Sequence, residues 1–395
     1  MGNPFRPAVV QYLHGLDFEG IAGVISLLQV FRGIAAMLVV YHHVNQEVIE
    51  LYGQNTLRSL FDFGDAGVQF FFVLSGFIIY YVHRRDIGRR DVVGTFFKKR
   101  VIRVYPVYIL VTLILTPFWA FIPDYGAAYH KHLSSFIYSL LLIPQTHVPN
   151  LGVGWTLTHE VLFYGLFAAL IFSRVIGRAV LGFWFFVIAV SNLVASHELA
   201  FPLSHLLSIN NLLFGMGMLG ALLVLKSSRQ RDAGWVMVVM GAAAFLIVAV
   251  TRNLLYGEGV IDFHADRLFI LCLGLASFLI VLQSGSARVE AVMSRWKLMN
   301  VIGTASFSIY LIHQPAVSLL RKLLVFAGWQ YSISPGLVFL LGCLFAIAAG
   351  IAMYYSVEKP MLNVLTRRYI RKPVSAQSEP IRPENYPLVN KRDAA

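Results

Sequence analysis

Arginine, histidine and glutamate recur inside apolar runs of this 395-residue sequence, where each needs a reason. The run FRGIAAMLVVYHHV holds Arg32, His42 and His43. Arg32 and His43 are eleven positions apart, about three helical turns, so they return to within roughly 20° of one helix face, while His42 points about 100° away. A histidine can take the proton of a weak nucleophile, and a cation on the same face can hold an anion. A snorkelling arginine with two interfacial histidines accounts for the same spacing. The run GVGWTLTHEVLFYG places His159 and Glu160 one to two turns inside another apolar segment. A carboxylate there needs a cationic or hydrogen-bonding partner, and His43 is the expected one; purely structural pairing is the other reading.

Three further runs carry candidates. SFSIYLIHQP sets Tyr310 and His313 on one turn before Pro315, which is expected to kink the helix. For His313 alone, a satisfied buried histidine is the simpler account. VEKP ends the last apolar run at Glu358, beside Lys359, as an interfacial acid would. FFKKRVIRVYP puts Arg100 and Arg103 at i, i+3, a spacing that can clamp a phosphate. Spacing alone favours topology signals touching lipid headgroups. The histidines are scattered and lack ligand spacing, so no metal site is expected.

The elements that must position these residues follow from composition. The chain is 57% hydrophobic and 13% charged, against about 45–50% apolar and about 25% charged in soluble proteins. With a mean hydropathy of +0.68, a water-soluble globule and a disordered chain are both excluded. The two cysteines, Cys272 and Cys343, lie in apolar stretches, which argues against a disulfide framework, a CxxC pair and a thiolate metal site. A net charge of +12 would point to nucleic acid in a soluble protein, but here a positive-inside bias explains it and no nucleic-acid partner is expected.

A spanning helix needs about 20 mostly apolar residues. Ten segments are expected to qualify: 24–46, 66–83, 104–122, 153–173, 179–196, 205–225, 234–251, 264–283, 299–326 and 335–357. The shorter stretch 133–143 reads as an interfacial or re-entrant helix. Alternate connections carry 21 Lys and Arg residues on one side and six on the other. The expected fold is thus an all-α, polytopic transmembrane bundle with both termini cytoplasmic. Its expected parts are a cytoplasmic segment 1–23, a membrane domain 24–360, and a tail 361–395 that is basic and then disordered from Pro373. The start shows no apolar signal-peptide core, so no removed leader is expected. No internal repeat of the kind common in secondary transporters is evident.

Taken in order, these runs resemble the acyltransferase-three family of polytopic membrane O-acyltransferases, which includes O-antigen and exopolysaccharide acetylases. Its Arg, ten residues, His pattern is matched by Arg32 and His43, and its FFxxSGF segment by FFVLSGFII with Ser75, Gly76 and Phe77. Its R-x-x-R-x-x-P element appears as Arg100, Arg103 and Pro106. Its WSLSxE element appears as WTLTHE with Trp155 and Glu160, where Thr156 and Thr158 keep the hydroxyls of the replaced serines. SFSIYLIHQP is similar to its SYxxYLxH stretch, and VEKP to its VExP. The resemblance covers roughly residues 24–360, and the FFVLSGFII and RVYPVY wording is most similar to rhizobial-type exopolysaccharide acetylases. No soluble hydrolase domain is expected after the last span.

The resemblance implies transfer of an acyl group, usually acetyl, from cytoplasmic acyl-coenzyme A to a sugar hydroxyl, in a bacterial inner membrane. It implies His43 as the base, oriented by Glu160, with Arg32, Arg100 and Arg103 binding the donor's phosphates. Ser75, Trp155, Tyr310, His313 and Glu358 would support the site. The expected partners are acetyl-coenzyme A or another acyl-coenzyme A, a carbohydrate or lipid-linked glycan acceptor, and membrane lipid. Direct transfer and an acyl-histidine relay are both compatible with these residues. A proton-coupled transporter or flippase would also use buried ionisable residues; the ordered runs argue against it. The charge asymmetry predicts that reporter fusions after Arg231 and after Gly257 read cytoplasm and periplasm respectively. The same reading from both would reverse the orientation or remove the seventh span.

Overall fold

The computed structural model describes residues 25–370, except 54–61, 122–126, 196, 198, 227–233, 258–262 and 331. The expected segment 1–23 and the tail from Pro373 lie outside the described residues, as does the fusion site at Arg231. The described residues form helices without strands. The long ones are α1 (Ile25–Tyr52), α2 (Gly67–His83) and α3 (Val93–Phe121), followed, after the short α4 (Leu133–Leu141), by α5 (Gly154–Phe172) and α6 (Arg174–Val194). A single turn, α7 (Leu203–Leu206), leads into α8 (Asn210–Lys226), α9 (Gly234–Gly257) and α10 (Phe263–Val281). Two short helices, α11 (Ala287–Met293) and α12 (Lys297–Thr304), precede α13 (Ser306–Phe326) and α14 (Pro335–Met353). The π-helical stretch Tyr354–Glu358 then joins α14 to α15 (Lys359–Tyr369).

Among the described residues, nine helices are long and apolar enough to cross a membrane, and the protein is an integral membrane protein. The remaining expected segment, 264–283, is present as α10, packed against α9. Large apolar side chains such as Phe183, Phe186 and Leu193 of α6 stand exposed, which in this setting is a lipid-facing surface.

Three expected boundaries differ in ways that matter for function. The third helix begins at Val93 rather than 104, so Arg100 and Arg103 lie two to three turns inside it and not at its mouth. The expected span 299–326 breaks at Ala305 into α12 and α13, while Pro315 sits within an uninterrupted α13. The helix continues through Pro315, because neighbouring groups in a packed bundle can satisfy the freed carbonyl. The last span runs on through Tyr354–Glu358 into α15.

Close packing fixes the centre. α2 and α8 approach so tightly that a Cβ on Gly76 would collide with the backbone oxygen of Phe214, and one on Gly217 with that of Val73. Small residues at such crossings let backbones meet where lipid offers no hydrophobic drive between helices. The α4 helix lies along α3, with the hydroxyls of Tyr105 and Tyr108 donating to the carbonyls of Leu141 and Ser139. It buries Ser135 and Ser139, both donating to Asn150, and leaves Leu133, Ile137 and Leu141 exposed. That inverted amphipathicity matches a helix lying against lipid.

Gly217→Leu is expected to force the α2–α8 crossing apart at a cost of about 1–3 kcal/mol or more. In detergent its thermal midpoint should fall clearly, while Gly94→Ala, whose added Cβ meets nothing, should leave it near that of the unaltered protein.

Candidate functional site

A cavity of about 190 Å³ opens between α1, α2, α3, α5 and α13. Its wall carries Arg32, Ser75, Arg100, Arg103, Glu160 and Tyr310, so six of the ten candidate residues read from the sequence meet at one place. Apolar side chains, among them Phe71, Phe72 and Phe214, complete it. A mostly apolar pocket with a few convergent polar groups is what a ligand site requires.

The three arginines stand in different electrostatic states. Arg103 forms an ion pair with Glu358, which is fully buried and also accepts from Ser308 Oγ at 2.5 Å. Its guanidinium lies 5.2 Å from the ring of Phe307. Arg32 donates to Gln29 Oε1 at 3.5 Å, one turn back along α1. Arg100 is 9% exposed, and no carboxylate among the described residues lies within ion-pair distance. It donates from Nη2 to Nε2 of His83 at 3.4 Å, and its Nε is buried without an acceptor. The rings of Phe96 and Tyr164 lie 6.0 and 5.9 Å away. Glu358 is thus no interfacial acid, as its sequence position suggested, but the buried counter-charge of Arg103.

Glu160 sits on the second turn of α5 and is held by hydroxyls. Its Oε1 accepts from Ser75 Oγ at 2.9 Å and from Tyr164 OH at 2.5 Å. The expected contact between Glu160 and His43 is not made. The ring partner of His43 is instead His313, at a centroid distance of 4.8 Å. Neither of these imidazoles lines the cavity. They follow Tyr310, whose ring lines the cavity and lies 5.8 Å from that of His313. Tyr310 OH bonds to Thr156 Oγ1 at 3.0 Å, and its ring faces Phe71 at 6.0 Å. Trp155 packs against Phe72 and His159 and stays off the cavity wall.

Hydrogen bonding fixes the protons on the two imidazoles. His313 Nδ1 lies 2.8 Å from the Tyr310 carbonyl and 3.3 Å from that of Ile309. Carbonyls only accept, so Nδ1 carries the proton and Nε2 a lone pair. That Nε2 is 3.3 Å from His43 Nδ1, which also lies 2.9 Å from the Val39 carbonyl and by the same logic donates. His43 Nε2 is then left as a base, with no hydrogen-bond partner among the described residues. His42 is committed elsewhere, its Nδ1 donating to the Asp62 carbonyl at 2.8 Å.

Sequence reasoning missed Tyr164, Ser308, His83 and Asp86. Tyr164 follows Glu160 by four residues, a spacing that places both on one helix face, so it could have been found. His83 and Asp86 form an i, i+3 pair at 2.7 Å hidden at the edge of a run of arginines. Ser308 becomes visible only once α13 meets the π-helical stretch that follows α14.

The sequence profile of the acyltransferase-three family, described as an acyltransferase domain, matches residues 25–355. The chain belongs to this family, and the helical bundle just described is that of a membrane-embedded acyltransferase. It is 28% identical over 309 residues to the exopolysaccharide production protein ExoZ of Rhizobium meliloti (strain 1021), covering 77% of this chain and 91% of that protein. It is also 29% identical over 94 residues to protein 2 in the picA locus of Rhizobium radiobacter, covering 24% of this chain and 44% of that protein. No solved structure matches.

The ion pair of Arg103 with a fully buried Glu358 makes a stability prediction. Arg103→Met leaves a buried carboxylate unpaired, at a cost of about 3–5 kcal/mol. The double variant Arg103→Met/Glu358→Gln should recover most of the lost thermal stability in detergent, and equal instability of single and double variants would assign Arg103 no pairing role.

Proposed function

We propose that this protein transfers an acyl group, acetyl in the first instance, from acyl-coenzyme A to a hydroxyl of an exported or cell-envelope glycan. Exopolysaccharide is the favoured acceptor class, in keeping with the printed name of the ExoZ relative. The enzyme would lie in a bacterial cytoplasmic membrane with both termini inside. The observation that carries the reading is the hydrogen-bond chain from the α13 backbone through His313 to His43, which leaves His43 Nε2 as a bare base.

In this reading the glycan hydroxyl gives its proton to His43 Nε2 as its oxygen attacks the thioester carbonyl. The C–S bond breaks, and the leaving thiolate takes the proton back from the imidazolium. His313 accepts from His43 Nδ1–H and so stabilises the charge that develops on the ring. Glu160 lies in the donor cavity, not beside His43, and we assign it the placing of the donor within that cavity, together with Ser75 and Tyr164. Among the arginines Arg100 is the first anion ligand, because its charge meets no carboxylate. Arg32 and Arg103 line the same wall and add positive potential. The ordered acyltransferase runs and the family match favour this over a transporter built on the same charges.

His43→Ala is expected to lower acyl transfer by about 10²–10⁴-fold, read as thiol release and acylated glycan by purified protein. His42→Ala should keep most activity, since His42 is bound to the turn at Asp62. A dead His42 variant beside an active His43 variant, at equal membrane abundance, would overturn the assignment. Arg100→Ala should remove about 1.5–3 kcal/mol of charge-assisted binding, a roughly 10- to 150-fold loss in donor affinity with a smaller effect on the acceptor.

A further inference from the structure

Several guanidiniums of this bundle take carboxylates, while Arg267 takes the backbone carbonyls of Asn192 and Ala195. Arg103 takes Glu358, Arg252 takes Asp65 and Asp266 at 2.7 and 2.8 Å, and Arg321 takes Glu47 and Glu50. Arg100 departs from this pattern although a carboxylate is close at hand. Asp86 lies just beyond His83, and the imidazole stands between the two.

The atoms define what the imidazole does there. A carboxylate oxygen only accepts, so His83 Nδ1, at 2.7 Å from Asp86 Oδ2, carries the ring proton. The lone pair is then on Nε2, which receives Arg100 Nη2–H at 3.4 Å. His83 is 1% exposed and wedged edge-on against Phe96 at 4.9 Å and near Phe167 at 6.4 Å, so the ring cannot turn over without repacking that cluster. Asp86 is only partly buried, its side chain 28% exposed. Hydration therefore weakens its charge at the distance of Arg100.

We propose that His83 is a positioning residue, an uncharged acceptor locked by Asp86 that orients Arg100 toward the cavity without neutralising it. A direct Asp–Arg bridge would hold the guanidinium equally still but would cancel the charge that an incoming anion needs. The imidazole separates the two tasks. Orientation comes from the Nε2 contact, and net positive charge stays available to a phosphate-bearing ligand. The Asp86–His83–Arg100 line thus resembles a metal ligand held by an outer carboxylate, with a guanidinium in place of the metal. The inference rests on the reading of Arg100 as the donor's anion ligand and adds how that property is maintained.

Glutamine and glutamate have nearly the same size, so a comparison at position 83 isolates charge from packing. Coenzyme A, which cannot react, serves as the probe, with its binding to the full-length protein in detergent measured by calorimetry. His83→Gln, which keeps an uncharged acceptor, should bind coenzyme A within about threefold of the unaltered protein, and His83→Glu should bind at least about tenfold more weakly because the new carboxylate pairs with Arg100. Arg100→Gln gives the reference loss. Thermal melting of each variant separates lost binding from lost folding. If His83→Glu is folded and binds coenzyme A as tightly as His83→Gln, while Arg100→Gln loses binding, the positioning role is overturned and the donor site stands. If Arg100→Gln itself binds normally, the donor-site reading fails and takes this inference with it. Should His83→Glu not fold, Asp86→Leu is the second probe: without the carboxylate the ring proton is free to sit on Nε2, Arg100 then loses its acceptor and coenzyme A binding should weaken, and unchanged binding would overturn the proposal.

Discussion

Glu358 holds together the π-helical stretch between α14 and α15, helix α3 and helix α13. It is fully buried and takes one bond from Arg103 on α3 and another from Ser308 on α13. A carboxylate in that position is tolerable only with its counter-charge and hydrogen-bond donor in place. It comes to lie there because the helix leaves its α geometry over Tyr354–Glu358, where the π-helical stretch redirects one turn. Such stretches are often found at functional sites. Arg103 and, near Ser308 on α13, Ser306, Phe307 and Tyr310 line the cavity beside this junction.

From that junction the charges of the site divide by their partners. Arg103 is bound to a carboxylate and serves both structure and potential. Arg100, one turn away on the same helix, meets an imidazole instead of a carboxylate. The difference arises from where α2 ends, since His83 is the last residue of that helix and Asp86 lies in the turn after it. Two arginines with one sequence signature are given unlike chemistry by two different neighbouring elements.

The site also has two parts. Arginines, Glu160 and Ser75 line the cavity, whereas His43 and His313 stand beyond Tyr310. Tyr310 and His313 share one turn of α13, so the helix that closes the cavity also carries the partner of His43. The hydroxyl of Tyr310 is anchored to Thr156, at the start of the helix that carries Glu160. Movement at this tyrosine would therefore be felt in both parts.

Much of this was legible in the sequence. Apolar runs of spanning length with few charges define a helical membrane bundle, because lipid leaves the backbone no other partner. Charges inside those runs marked the inward faces, and Arg32, Ser75, Arg100, Arg103, Glu160 and Tyr310 do meet at one cavity. What the sequence could not supply was pairing. Spacing along one helix gives a face but not which face of which other helix it meets. The partner of His43 is 270 residues away and that of Arg103 is 255 away. Expected depth in the membrane points Glu160 toward His43, on a different apolar run. The fold instead gives Glu160 two hydroxyls and gives His43 a second histidine, because helix crossings set which side chains touch. Sequence periodicity thus determined which residues turn away from lipid. Only the packing of α1, α2, α3, α5 and α13 decided which of them meet one another, which meet hydroxyls and which meet a carboxylate.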